Sequence, residues 1–165
     1  MILDCRSSLG WTVCLFLFFC ITGCATLAAE DGNAKDLPII VRWSGDFPVA
    51  DLALLPDGQR QSRTGYIDGQ SAFASVWQAF KPGEKIPAVD FNRNLVVFSR
   101  NVDFYNRTTI IKVTLTDGGA EIIAMETMSA LPIEDQVALT MAVIPRAGID
   151  FILSGDMRVP VTGSR

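Results

Sequence analysis

Apolar residues recur along this chain in two rhythms. Phe73, Val76, Trp77 and Phe80 fall at i, i+3, i+4 and i+7, one face of an α-helix. Asp68 or Ser71 can cap its start, and Lys81-Pro82-Gly83 ends it. An aromatic stripe at that spacing is expected to pack on a sheet. Elsewhere the pattern is β. Pro38-Ile39-Ile40-Val41-Arg42-Trp43 is rich in β-branched residues and reads as a first strand, and residues 44–63 carry turn markers at Gly45, Pro48, Pro56 and Asp57-Gly58. Leu95-Val96-Val97-Phe98-Ser99 suits a buried strand. Residues 108–116 are β-branched almost throughout, and strict alternation puts Thr109, Ile111, Val113 and Leu115 on one face. Asp117-Gly118-Gly119 signals a tight turn, after which residues 120–127 pair back. Residues 137–144 form a further strand, with Val137, Leu139, Met141 and Val143 on one side. Residues 149–153 follow a turn at 145–148, and residues 157–161 add an edge. One helix followed by consecutive antiparallel strands predicts an α+β, mostly β fold: an antiparallel sandwich or open barrel with one amphipathic helix packed on it.

The first two dozen residues break this pattern. Residues 1–10 hold Arg6, with Asp4 near it, and a largely apolar run follows at 11–22. Its length falls within the roughly 7–15 residues of a secretory h-region and short of the about 20 that span a bilayer. The run closes on Ile21-Thr22-Gly23-Cys24, which resembles the bacterial lipobox of a branched apolar residue, two small residues and cysteine. That resemblance implies diacylglycerol on the Cys24 sulfur, cleavage before Cys24, and a further acyl chain such as palmitate on the new amine. Two or three chains anchor stably where one does not. Ala25, not Asp, follows the cysteine; in a cell with two membranes the sorting rule for lipoproteins then implies the outer one. The alternatives are plain secretion with cleavage after Ala28 or Ala29 and a retained anchor helix. The expected organisation is a lipoprotein signal peptide at 1–23, a lipidated cysteine and tether at 24–36, and a single globular domain at 37–165.

Composition narrows the chemistry. The four cysteines, Cys5, Cys14, Cys20 and Cys24, all precede the domain, and the chain has no histidine. Within the domain, disulfides, Cys–His and Ser–His–Asp catalysis, and the usual His- and Cys-based metal sites are therefore excluded. No cofactor or metal is expected. A net charge of −4, without a basic cluster or a phosphate-binding glycine loop, argues against a nucleic-acid partner. Asp103, Glu121, Glu126, Glu134 and Asp135 are the carboxylates from which a hydrolase would draw a pair, but no spacing brings two together. Asp90, between Val89 and Phe91, is expected to be buried and to fix a turn through backbone amides. The segment 101–107 places Phe104, Tyr105 and Arg107 in a connection. These residues either continue a strand and pack inward or form a partner-binding tip, since Tyr and Arg are enriched at binding hot spots.

Residues 71–151 resemble the C-terminal domain family of PrcB-type accessory lipoproteins. The resemblance is carried by Phe73-Ala74-Ser75-Val76-Trp77, Pro87-Ala88-Val89-Asp90-Phe91, Leu95-Val96-Val97 and Thr140-Met141-Ala142-Val143-Ile144-Pro145-Arg146, in that order. Where the family tends to carry a Gly-Gly-Tyr-like turn, this chain has Asn106-Arg107-Thr108. The resemblance implies a non-catalytic domain that supports a surface protease complex. The expected function is thus a lipid-anchored domain of the bacterial cell envelope, on the outer membrane or facing the periplasm, that binds, assembles or stabilises another envelope protein. The alternatives are a protease-inhibitor-like domain that presents loops, and a small carboxylate-dependent hydrolase.

Overall fold

The computed structural model describes residues 34–129 and 131–162. The residues read as a signal peptide, Cys24 and most of the expected tether lie outside the described residues. The domain is built in three layers. The central sheet holds β2 (Val41–Pro48), β3 (Thr64–Ile67), β4 (Asn94–Arg100) and β9 (Gln136–Pro145). Its order is β2-β9-β4-β3, antiparallel throughout. One face carries α1 (Gln70–Phe80). The other faces an outer sheet of β1 (Lys35–Leu37), β6 (Thr108–Thr116), β7 (Gly119–Glu126), β10 (Phe151–Ser154) and β11 (Met157–Pro160), ordered β1-β6-β7-β10-β11. A separate pair joins β5 (Phe104–Tyr105) to β8 (Leu131–Pro132). The expected mostly β sandwich with one packed helix is what forms, and it is open rather than a closed barrel.

The central sheet is covered on both sides, so its inner strands are apolar on both faces. In β9, Val137, Leu139, Met141 and Val143 face the helix, while Ala142 and Ile144 face the outer sheet. In β4, Val96 and Phe98 take the helix side and Leu95 and Val97 the other. Phe73, Val76, Trp77 and Phe80 are buried on α1, as the helical stripe predicts. Gly69, rather than Asp68 or Ser71, occupies the N-cap; no side chain caps it, and Asp68 accepts a hydrogen bond from Thr162 Oγ1 instead. Trp77 stands 5.1 Å from Trp43 and 5.9 Å from Phe80, ring centre to ring centre.

Several details depart from the sequence reading. In β6 the inward residues are Thr108, Ile110 and Val113, and Ile111 is half exposed. The register of β6 on β7 skips between Ile110 and Lys112, so Ile111 is a bulge that reverses the alternation on one side of it. The bulge is held from the central sheet. The Arg42 guanidinium donates to the Ile110 carbonyl, and the Ile110 N–H points at Thr140 Oγ1, 3.4 Å away. The strands are not all antiparallel: β10 runs parallel to β7, because the chain leaving β9 returns beside the β6–β7 turn, where Gly118 accepts from Asp150 and Phe151 N–H. That turn places Asp117 at φ 50 and Gly118 at φ 78, the two positive values of a type I′ hairpin. Lys35 and Asp36, assigned to the tether, pair with Leu115 and Thr114.

Strand β3 has no strong apolar signature. It is legible only in three dimensions: a Cβ on Gly65 would come within 2.5 Å of the Phe98 ring, so glycine is needed for that approach. Asp90 is exposed, not buried. It still fixes its turn, accepting from Asn92 N–H at 3.1 Å through Oδ1 and from Asn94 N–H at 2.9 Å through its carbonyl.

Candidate protein-binding site

Strands β5 and β8 continue the β6–β7 hairpin beyond its open end. Pairing passes from Thr109 opposite Met125 and Thr108 opposite Glu126 to a bond of 2.9 Å from Thr127 N–H to the Arg107 carbonyl. It ends with Tyr105 opposite Leu131 and Phe104 opposite Pro132. Residues 104–116 therefore run beside residues 119–129 and 131–132 as one long two-stranded ribbon. Its hairpin half is part of the sandwich, and its other half projects as the separate two-stranded sheet.

Polar side chains fix that projection to the central sheet. Asn101, at the end of β4, is buried, and its Oδ1 accepts from Asn106 N–H at 2.9 Å and Ala138 N–H at 3.2 Å. Tyr105 O–H donates to Asp46 Oδ1 on β2. This bond, then burial, raises the phenol pKa above its ordinary 10, because a donor held by a carboxylate resists losing its proton. Ser129 donates to the Tyr105 carbonyl and, through its N–H, to Asn106 Oδ1 at 2.8 Å. At the base, Arg63 joins Glu126 at 2.6 Å and Asp103 at 3.1 Å. Beside it Arg100 is buried, with guanidinium bonds to the Asn101 and Arg60 carbonyls. Burial, and secondarily the Arg63 charge, lowers the Arg100 pKa.

The candidates from the sequence reading separate here. Phe104 and Tyr105 do form a strand, but Phe104 is 52% exposed and is not core. Tyr105 is half-buried and positions the ribbon, while Arg107 is exposed. Residues not singled out in the sequence complete the surface. Leu131 is 56% exposed, Met125 63%, and Met128 wholly. Of the ten exposed large hydrophobic side chains among the described residues, six lie on the ribbon: Phe104, Ile111, Ile123, Met125, Met128 and Leu131. Their only signal in the sequence is the presence of Met128 and Leu131 in what otherwise reads as a polar connection.

A cleft of about 430 Å³ runs along the Tyr105 and Leu131 side, closed by Glu134, Asp135 and Gln136. A larger cavity, about 1170 Å³, lies away from the ribbon between the ends of β4 and β9. There Arg146 donates from its two terminal nitrogens to the carbonyls of Phe91 and Thr162 while its Nε has no partner, and the lining mixes Ile40 with Asp90 and Asp150. We therefore place the site by surface chemistry rather than by cavity size. The fold does bring two of the predicted carboxylates together, Asp103 and Glu126, contrary to the spacing argument, but Arg63 sits between them as the shared cation. Among the described residues no three Asp or Glu side chains stand close enough to hold a metal ion.

Fold and site together define a helix-backed β-sandwich bearing a ribbon with an apolar surface. No family model, curated protein or solved structure matches the chain, so the PrcB-type resemblance rests on the quoted segments alone.

Proposed function

We propose that this chain is a lipid-anchored, non-catalytic domain of the bacterial cell envelope that binds another envelope protein through the ribbon. The observation that carries the reading is the gathering of exposed Phe, Met and Leu side chains on one polar-anchored element. The register puts Leu131 on the Tyr105 face of the ribbon and Phe104 on the other; exposed apolar side chains grouped on one element mark interaction sites, and flexible Met side chains adapt to a partner's shape. Tyr105 and Asp46 supply the support that keeps the ribbon in one geometry. The Cys24 lipid would hold the domain at the outer membrane or facing the periplasm. If the PrcB-type resemblance reflects kinship, the partner is a component of a protease complex.

The test is site-specific photocrosslinking in cells, with a photoreactive residue at Phe104 or Met128 and a control at exposed Asp57. The expected result is one discrete crosslinked protein from the ribbon positions only. It should disappear when Met125 and Leu131 are changed to Ala. Those side chains are exposed, so their loss should leave the domain's stability within about 0.5 kcal/mol. No discrete product, or equal products from Asp57, refutes the assignment.

A further inference from the structure

The four edges of the two large sheets are unequal. β1, β3 and β11 are three or four residues long, whereas β2 has eight and bonds to β9 on one side only. Long unpaired edges recruit other strands, and natural folds shorten or block them. Val49 N–H donates to the Asp135 carbonyl. With the register of Val41 on Val143 through Pro48 on Gln136, this points the backbone groups of odd-numbered β2 residues at β9. The N–H and C=O groups of Arg42, Ser44 and Asp46 therefore face outward, and all three residues are exposed.

We propose that β2 is a self-association edge, on which a second copy of this chain pairs antiparallel about a two-fold axis through Ser44. The strand is complementary to itself in that register. Arg42 meets Asp46 of the second copy, Asp46 meets its Arg42, and Ser44 meets Ser44. These three positions carry the outward N–H groups, so every one of those donors finds a carbonyl. Opposite charges set directly across a strand pair attract, and like charges repel. On the helix side of the sheet, Val41 comes opposite Phe47, and bulky Trp43 comes opposite Gly45. Moving the register by two residues either way puts Arg42 against Ser44 or against Pro48, which has no N–H to donate. Both charged side chains keep capacity for the new bond. Arg42 spends one of its five N–H groups on Ile110, and Asp46 receives Tyr105 on Oδ1 alone. The proposal does not depend on the ribbon, whose exposed side chains lie on other strands.

Charge exchange tests it on the full chain in detergent, with protein mass read by light scattering. The wild type is expected at twice the single-chain mass. Arg42→Asp sets Asp against Asp46 at both ends of the pair, and Asp46→Arg sets Arg against Arg42, so each variant alone is expected to be monomeric. An equimolar mixture restores both opposite pairs, and the doubled mass is expected to return. A variant that had merely lost its fold would not recover on mixing. A wild type of single-chain mass, a variant that stays dimeric alone, or a mixture that stays monomeric overturns the proposal.

Discussion

Trp77 offers a sensitive test of the layer between helix and sheet. Its side chain is 3% exposed and touches Trp43, Phe73 and Phe80. Its indole Nε1 is buried and has no hydrogen-bond partner. Two substitutions separate these facts. Trp77→Ala removes the whole ring from a packed site, a change that costs about 3–5 kcal/mol. Trp77→Phe keeps most of the aromatic contact and removes the unpartnered donor. The smaller ring gives up roughly 1–2 kcal/mol of apolar burial at about 25 cal/mol per Å², and losing the unmet N–H returns about 1–3 kcal/mol. The net change for Phe therefore runs from about 1 kcal/mol of loss to about 2 kcal/mol of gain. Urea unfolding followed by far-ultraviolet circular dichroism is the assay, because Trp11 and Trp43 confuse fluorescence. At a slope of about 2 kcal/mol/M, Trp77→Ala should lower the midpoint by about 2 M and Trp77→Phe by less than about 0.5 M. An Ala midpoint within about 0.5 M of wild type would place Trp77 outside the core. A Phe variant as damaged as the Ala variant would mean that the indole N–H is bonded after all.

Other expectations are as direct. Cells fed an alkynyl fatty acid should label the wild type and not Cys24→Ser, which should persist as unprocessed precursor; an unlabelled wild type recovered in the soluble fraction ends the lipoprotein reading. In a Tyr66→Phe background Tyr105 is the only tyrosine, and its phenolate absorbance should appear above pH 10. Because the folded pKa is raised, the Tyr105–Asp46 bond contributes its full stability below the unfolded value of about 10 and loses it as pH climbs through the folded value. A Tyr105→Phe variant whose stability deficit is the same on both sides of that window would contradict the bond. Gly118→Ala forces a side chain onto a residue at φ 78 and sets a Cβ 2.4 Å from Asp150 Oδ2. It should therefore destabilise by more than about 1 kcal/mol in thermal melts, and a neutral outcome would argue against the type I′ turn.

The separation between local and non-local information is visible residue by residue. The helix, the run at 95–99, the alternation in 137–144 and the Asp117-Gly118 turn were legible because each depends on a period or a backbone preference carried within a few residues. Beyond the 108–116 and 120–127 hairpin, which its turn announces, which strand lies beside which was not legible. The Ile111 bulge arises because Arg42 and Thr140, distant in the chain, meet the Ile110 backbone. β3 pairs β4 with Gly65 beneath the Phe98 ring and Gln59, where a Cβ has no room, and β10 pairs parallel because it enters beside Gly118. The candidate site shows the same division. Phe104, Tyr105 and Arg107 could be marked as a connection rich in binding residues, but only folding distinguished the exposed Phe104 from the anchoring Tyr105. Only folding brought Met125, Met128 and Leu131 alongside them. Sequence periodicity records which face of an element is apolar. It carries no record of whether another layer covers that face, so exposure, and with it the binding surface, is decided by the tertiary structure.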